Sequence, residues 1–150
     1  MRRLVVPLVM VLSLGGCGWL DRHDETSKPD GILLHGYVSV AGAAAGATGS
    51  ACQAPPTVPD IAQGATVRAA DDAGHVIAAG ELSGGVLAQA ATGGYSCNFA
   101  FEFRNLSGSR ATYTIMVGDR PATTFQTKAM REGTPAIIEV AGPTASSSPS

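Results

Sequence analysis

The stretch CNFAFEFR, residues 97–104, decides the fold class of this 150-residue protein. Its large apolar side chains occupy every second position, as in a β-strand that buries one face. The core face of this strand would hold Cys97, Phe99, Phe101 and Phe103. The opposite face would carry Asn98, Glu102 and Arg104, so the stretch predicts a strand with one buried and one polar side.

Six further segments share this alternation, at residues 32–40, 66–70, 75–79, 111–117, 123–127 and 136–140. The first would bury Ile32, Leu34, Val38 and Val40, and the fourth would bury Tyr113, Ile115 and Val117. The sequence DDAG, residues 71–74, is typical of the turn of a β-hairpin. No stretch has a convincing helical repeat. We therefore predict an all-β fold over residues 31–141, a small antiparallel β-sandwich of the immunoglobulin or transthyretin-like kind.

Two segments between these strands have the composition of loops. Residues 41–51 contain almost only small side chains, and residues 53–64 include Pro55, Pro56 and Pro59. Residues 83–95 are rich in glycine. We expect the loops at 41–64 and 83–95 to carry any binding surface.

The first sixteen residues have the features of an export signal. Arg2 and Arg3 give a positive start, and the apolar run at residues 4–14 is shorter than the roughly 20 residues that cross a bilayer as a helix. The sequence LGGC, residues 14–17, resembles the lipobox of bacterial lipoproteins. That resemblance implies that Cys17 is lipidated and becomes the first residue of a protein held on the extracytoplasmic face of the cell membrane. The alternative is an ordinary secretory signal, cut near the same place.

The ends of the exported chain would be unstructured. Residues 17–30 form a polar tether after the lipidated cysteine, and residues 142–150 form a disordered tail. Cys52 and Cys97 are the two other cysteines of the chain. Because an exported protein meets an oxidising environment, we expect them to form one disulfide. Pairing them leaves Cys17 alone, as a lipid-bearing residue should be.

Charge argues against one class of partner. Without Arg2 and Arg3, eight basic residues face twelve acidic ones, a net charge of -4. No basic surface is expected that could hold nucleic acid. Nothing in the sequence calls for a cofactor.

Several quoted segments resemble a known class of domain: DIAQGATV at residues 60–67, DAGHVIAAGEL at 72–82, CNFAF at 97–101 and YTIMV at 113–117. They are similar to small extracytoplasmic domains of actinobacterial envelope proteins, whose layout is that of transthyretin-like or carboxypeptidase-regulatory-like sandwiches. The resemblance covers roughly residues 31–140. It rests on turn glycines, strands and a cysteine, so it implies a fold and no active site.

Residues with catalytic or metal-binding chemistry are scattered. The histidines are His23, His35 and His75, none at metal-ligand spacing from another, so no metal site is predicted. The sequence GYSCN, residues 94–98, lacks the final glycine of a serine hydrolase motif. Asp71 and Asp72 are expected to form a turn, with calcium binding as the alternative. His35 and Tyr37, on the polar face of the first strand, form a candidate interaction surface.

These features favour a lipid-anchored, non-enzymatic binding or interaction module of the cell envelope, with a protein, glycan or lipid as partner. The alternative is a carrier of a small apolar ligand or lipid. A hydrolase is the least favoured alternative.

Overall fold

The computed structural model describes residues 30–142. Within them lie nine strands and one short helix, α1 (Thr127–Arg131). The strands are β1 (Gly31–Ala41), β2 (Ala51–Cys52), β3 (Thr66–Ala70), β4 (Val76–Glu81), β5 (Gly85–Gln89), β6 (Tyr95–Ser107), β7 (Thr112–Val117), β8 (Thr123–Gln126) and β9 (Ala136–Val140). The chain folds as a small all-β sandwich, which confirms the predicted fold class.

The strands form two sheets. The five-stranded sheet has the order β2-β5-β6-β1-β9, and the four-stranded sheet has the order β4-β3-β7-β8. Neighbouring strands are antiparallel except β1 and β9, which run parallel. Both sheets are thus mainly antiparallel, as predicted, and the β1–β9 pair is a parallel addition to the larger one.

The core lies between the sheets and follows the alternation of the sequence. β6, the longest strand, holds Cys97 and its three phenylalanines at 4% exposure or less. The predicted inward residues of β1 and β7 are buried as well: Ile32, Leu34, Val38, Val40, Tyr113, Ile115 and Val117. Burial of every second side chain along several strands stabilises a two-layer fold, because each sheet then packs one apolar face against the other.

Gly36 lets β9 approach β1 closely. It pairs with Phe101 on one side and with Ala136 on the other. A Cβ atom at this position would collide with the carbonyl oxygen of Ala136 and would lie 2.8 Å from the Phe101 ring. The parallel pair therefore depends on a residue without a side chain.

Three details differ from the sequence prediction. β2 and β5 lie in segments predicted to be loops, and both are poor in bulky inward side chains: β5 buries only Gly85 and Leu87. Thr127, predicted as the last residue of a strand, is the first residue of α1. The second strand of the first hairpin begins at Val76 and continues to Glu81, beyond its predicted end.

Two turns are fixed by side chains. In the β3–β4 turn, a carboxylate oxygen of Asp71 accepts hydrogen bonds from the backbone nitrogens of Ala73 (3.0 Å) and His75 (2.9 Å). At the β6–β7 connection, the hydroxyl of Tyr113 donates to the carbonyl oxygen of Ser107. This bond resembles the tyrosine corner of immunoglobulin-type sandwiches.

Candidate functional site

A surface depression in the described part of the chain, which we call the loop cleft, lies between residues 51–63 and the pair Gly84–Gly85. Its volume is about 710 Å³, within the usual range of ligand sites of about 300–1,000 Å³. Most of its lining is apolar and includes Val58, Ile61 and Phe99. These three side chains are nearly fully buried, so the cleft opens directly onto the hydrophobic core.

The wall of the loop cleft is held at both ends. At one end Cys52 forms a disulfide with Cys97, with Cα atoms 5.9 Å apart, and this confirms the predicted pair. Within the wall, Val58 and Ile61, on either side of Asp60, are anchored in the core. The proline-rich segment is therefore tied into the sandwich in spite of its loop composition.

An ion pair holds the other end of the wall. Asp60 receives two hydrogen bonds from Arg120, which lies in the β7–β8 connection, at 2.5 Å from Nε and 2.8 Å from Nη2. The hydrogen bonds from Arg120 lower the pKa of the Asp60 carboxyl below its ordinary value, and the same bonds raise the pKa of Arg120. The arrangement is the bidentate pairing for which arginine is suited.

The second depression, the sheet groove, lies on the outer face of the five-stranded sheet. It has a volume of about 570 Å³. Its side chains come from β1, β5, β6, β9 and the β5–β6 turn, and the polar ones are Tyr37, Ser39, Gln89, Thr92, Ser96, Asn98 and Glu139. Three of these polar residues form a row across adjacent strands, because Ser39 on β1 pairs with Asn98 on β6 and with Glu139 on β9.

The structure separates the two residues of the predicted interaction surface. His35 and Tyr37 lie on the outer face of β1, as the alternation predicted. Tyr37 is half-buried and lines the sheet groove, where it pairs with Ile137. His35 is exposed, lies opposite Glu102, and does not line the groove.

The paired aspartates of the β3–β4 turn are engaged by the protein itself. Arg110 contacts Asp71 at 3.3 Å and Asp72 at 2.9 Å. The hydrogen bond from the His75 backbone, together with the bond from Ala73 and the nearby Arg110, lowers the pKa of Asp71. The Asp71 carboxylate thus fixes the turn, and the Asp72 carboxylate pairs with Arg110.

The remaining candidates are dispersed. Ser96, from the incomplete hydrolase motif, is 4% exposed, and its hydroxyl donates to the Asn98 side chain at 3.2 Å. Among residues 30–142, no three histidine, cysteine, aspartate or glutamate side chains are grouped so that they could hold a metal ion. Over the same range, no helix has the length and apolarity needed to span a membrane. The predicted export signal, Cys17, His23 and the tail from residue 143 lie outside the described residues.

Sequence reasoning missed most of the sheet groove. The alternation placed Asn98 outward, and the same rule applied to residues 136–140 would have placed Glu139 outward. The missing information was strand order. Only the parallel pairing of β9 beside β1 brings Glu139 next to Ser39.

Comparison of this chain with protein-family models, with curated proteins and with solved structures found no match. The resemblance to transthyretin-like envelope domains therefore stays a prediction.

Proposed function

We propose that this protein is a lipid-anchored, non-enzymatic binding module on the extracytoplasmic side of a cell membrane. The export signal and the lipobox-like LGGC sequence support the location, and Cys17 is the proposed attachment point. Each buried CH₂ of a lipid chain contributes about 0.8 kcal/mol, so two or more acyl chains would hold the protein firmly.

The observation that carries a binding role is the braced loop cleft. Its wall is a segment with three prolines, held by the Cys52–Cys97 disulfide and by the Asp60–Arg120 pair. A surface that is fixed before the partner arrives loses less conformational entropy on binding. The same cleft lies at the junction of the two segments expected to carry the binding surface.

The location is tested by replacing the anchor residue. Cys17→Ser, expressed in the native host, should move the protein from the membrane fraction to the soluble fraction. The matched control is Ser13→Ala, which changes the predicted leader but leaves the cysteine in place. An unchanged distribution of the Cys17→Ser protein would refute lipidation at this residue.

The binding role is tested by photo-crosslinking in intact cells. A photoreactive amino acid at Ala62, which is exposed and lines the loop cleft, should give a defined adduct. The same amino acid at Ala122, which is exposed and outside the cleft, should not. Identical adducts at both positions, or none at Ala62, would contradict partner binding at the cleft.

The apolar lining favours a second candidate function, that of a carrier of a small apolar ligand. Val58, Ile61 and Phe99 offer the cleft floor that an acyl chain or similar group requires. Native mass spectrometry of protein purified from its own host should then find a bound small molecule that is lost in Ala62→Trp, which narrows the cleft. Protein without a copurifying ligand in repeated preparations would exclude the carrier role.

A further inference from the structure

We propose that the sheet groove binds an uncharged glycan chain. This site is separate from the loop cleft, and the inference requires neither lipidation of Cys17 nor a partner in that cleft. It is argued from the row of side chains that three adjacent strands present on one face.

Strand pairing places three polar groups side by side. Ser39 on β1 lies between Asn98 on β6 and Glu139 on β9, and neighbouring strands are about 4.8 Å apart. The row therefore presents an amide, a hydroxyl and a carboxylate over a span of roughly 10 Å. Spacing of this kind matches a ligand that carries several hydrogen-bonding groups along its length.

The types of polar group match hydroxyl groups. A carboxylate accepts only, whereas an amide and a hydroxyl both donate and accept. Sugar hydroxyls also donate and accept, so they can donate to Glu139 and accept from the amide nitrogen of Asn98, whose oxygen already accepts from Ser96. Within residues 30–142, no side-chain hydrogen bond or ion pair occupies the Glu139 carboxylate.

One step along the strands, the polar row gives way to an apolar surface. Tyr37 lies beside Ile137, which is 39% exposed. An aromatic ring and an aliphatic side chain together offer a surface for the C–H face of a sugar ring, with the tyrosine hydroxyl left for a polar contact. The groove thus combines an apolar surface for the C–H groups of a pyranose ring with a polar row for its hydroxyl groups.

The charge of the groove selects among ligands. Glu139 is the one charged side chain in its lining. A phosphate, a sulfate or a uronic acid would be repelled by this carboxylate and would find no cation in the groove.

The direct test uses the full-length protein in detergent and a panel of neutral hexasaccharides built from glucose, galactose, mannose or N-acetylglucosamine. Saturation-transfer NMR and calorimetry should detect binding of at least one of them. Tyr37→Ala should weaken that binding about tenfold, which corresponds to about 1.4 kcal/mol, because the aromatic contact is lost. Glu139→Gln should weaken it severalfold while the protein stays folded.

The matched control for Glu139→Gln is Glu102→Gln, which removes a carboxylate from the same face of the sheet, outside the groove. It should leave the affinity unchanged. Tyr37→Phe keeps the ring and should retain most of the binding that Tyr37→Ala loses.

Three outcomes would overturn the proposal. The first is no binding of any hexasaccharide at millimolar concentration. The second is binding that Tyr37→Ala and Glu139→Gln leave intact. The third is binding of a hexalysine peptide, lost in Glu139→Gln, in the absence of glycan binding, which would make the groove a site for cationic peptides.

Discussion

The carboxylate of Asp60 and the guanidinium of Arg120 form two parallel hydrogen bonds across 60 residues of sequence. They join the proline-rich wall of the loop cleft to the β7–β8 connection of the four-stranded sheet. Both side chains are partly exposed, so the pair adds little to global stability and acts mainly on the position of the loop.

Arg120→Ala should release this end of the loop. We expect the free energy of unfolding to fall by less than about 1 kcal/mol, because surface ion pairs contribute little. Amide hydrogen exchange in residues 53–64 should become faster, and the pKa of Asp60 should rise toward its ordinary value. Because the pKa of Asp60 is lowered in the folded state, its contribution to stability is present above about pH 4 and is lost as the pH falls further.

Arg104→Ala is the control for that experiment. It breaks a pair with Glu102 within β6 and should leave exchange in the loop unchanged. If both variants gave the same exchange rates as the parent protein, the Asp60–Arg120 pair would have no role in holding the loop.

Reduction of the Cys52–Cys97 disulfide should destabilise the protein strongly. The bond closes a loop with a sequence separation of 45 residues. On the chain-entropy account, a loop of this size is worth about 4 kcal/mol. Urea unfolding with and without reductant measures the difference in the free energy of unfolding. As the control, reductant should leave the unfolding midpoint of the double variant Cys52→Ala, Cys97→Ala unchanged. Equal midpoints for the oxidised and reduced parent protein would contradict the prediction.

Tyr113→Phe should cost about 0.5–1.5 kcal/mol, because the hydrogen bond from the Tyr113 hydroxyl to the carbonyl oxygen of Ser107 is lost. Tyr113 is fully buried, and its ring stays in place in the variant. Denaturant unfolding gives the value, with Tyr95→Phe, a half-buried residue on β6, as the control. If Tyr113→Phe and Tyr95→Phe lowered the free energy of unfolding equally, the hydrogen bond from Tyr113 to Ser107 would not contribute to stability.

The same tyrosine predicts a response to alkali. Burial raises the pKa of the Tyr113 hydroxyl. Its contribution to stability is therefore complete below the ordinary tyrosine pKa of about 10 and is lost as the pH rises through the higher folded value. Tyr113→Phe should remove this part of the alkaline transition.

Gly36→Ala should disrupt the contact between β1 and β9. The added methyl group would meet the backbone of Ala136, which cannot move aside as a side chain could. We expect a loss of about 1–3 kcal/mol, the usual range for overpacking a core. Gly80→Ala is the matched control, since its methyl group would lie 3.5 Å from the Phe103 ring, an ordinary contact. Equal stability of the two variants would show that β9 can shift without cost.

The sequence predicted the elements whose inward side chains are large. Residues 97–104 and 111–117 alternate clearly, and both are core strands in the structure. β5 was missed because its buried positions are Gly85 and Leu87, of which only Leu87 is a large apolar residue. A two-residue strand such as β2 has no period to detect.

The candidate sites were predictable only in part. Cysteine count was enough to pair Cys52 with Cys97, and alternation was enough to place Tyr37 outward. The partners of Tyr37 were hidden because they depend on the parallel addition of β9 after a connection through α1, a helix of five residues. Long-range strand order is set by packing of whole sheets, which no local pattern encodes.

Because β1 and β9 run parallel, the chain enters the first strand and leaves the last strand at opposite ends of the domain, the entry pole and the exit pole. The chain enters β1 next to Asp30, where Arg131 contacts that aspartate, and it leaves β9 at the opposite end, where Val140 pairs with Val40. Ser39 and Glu139 lie near the exit, roughly 25 Å along the strand from Gly31. If the lipid is on Cys17, the anchor joins the domain at its entry pole, and the groove lies at the opposite pole, on the side of the domain away from the point of attachment.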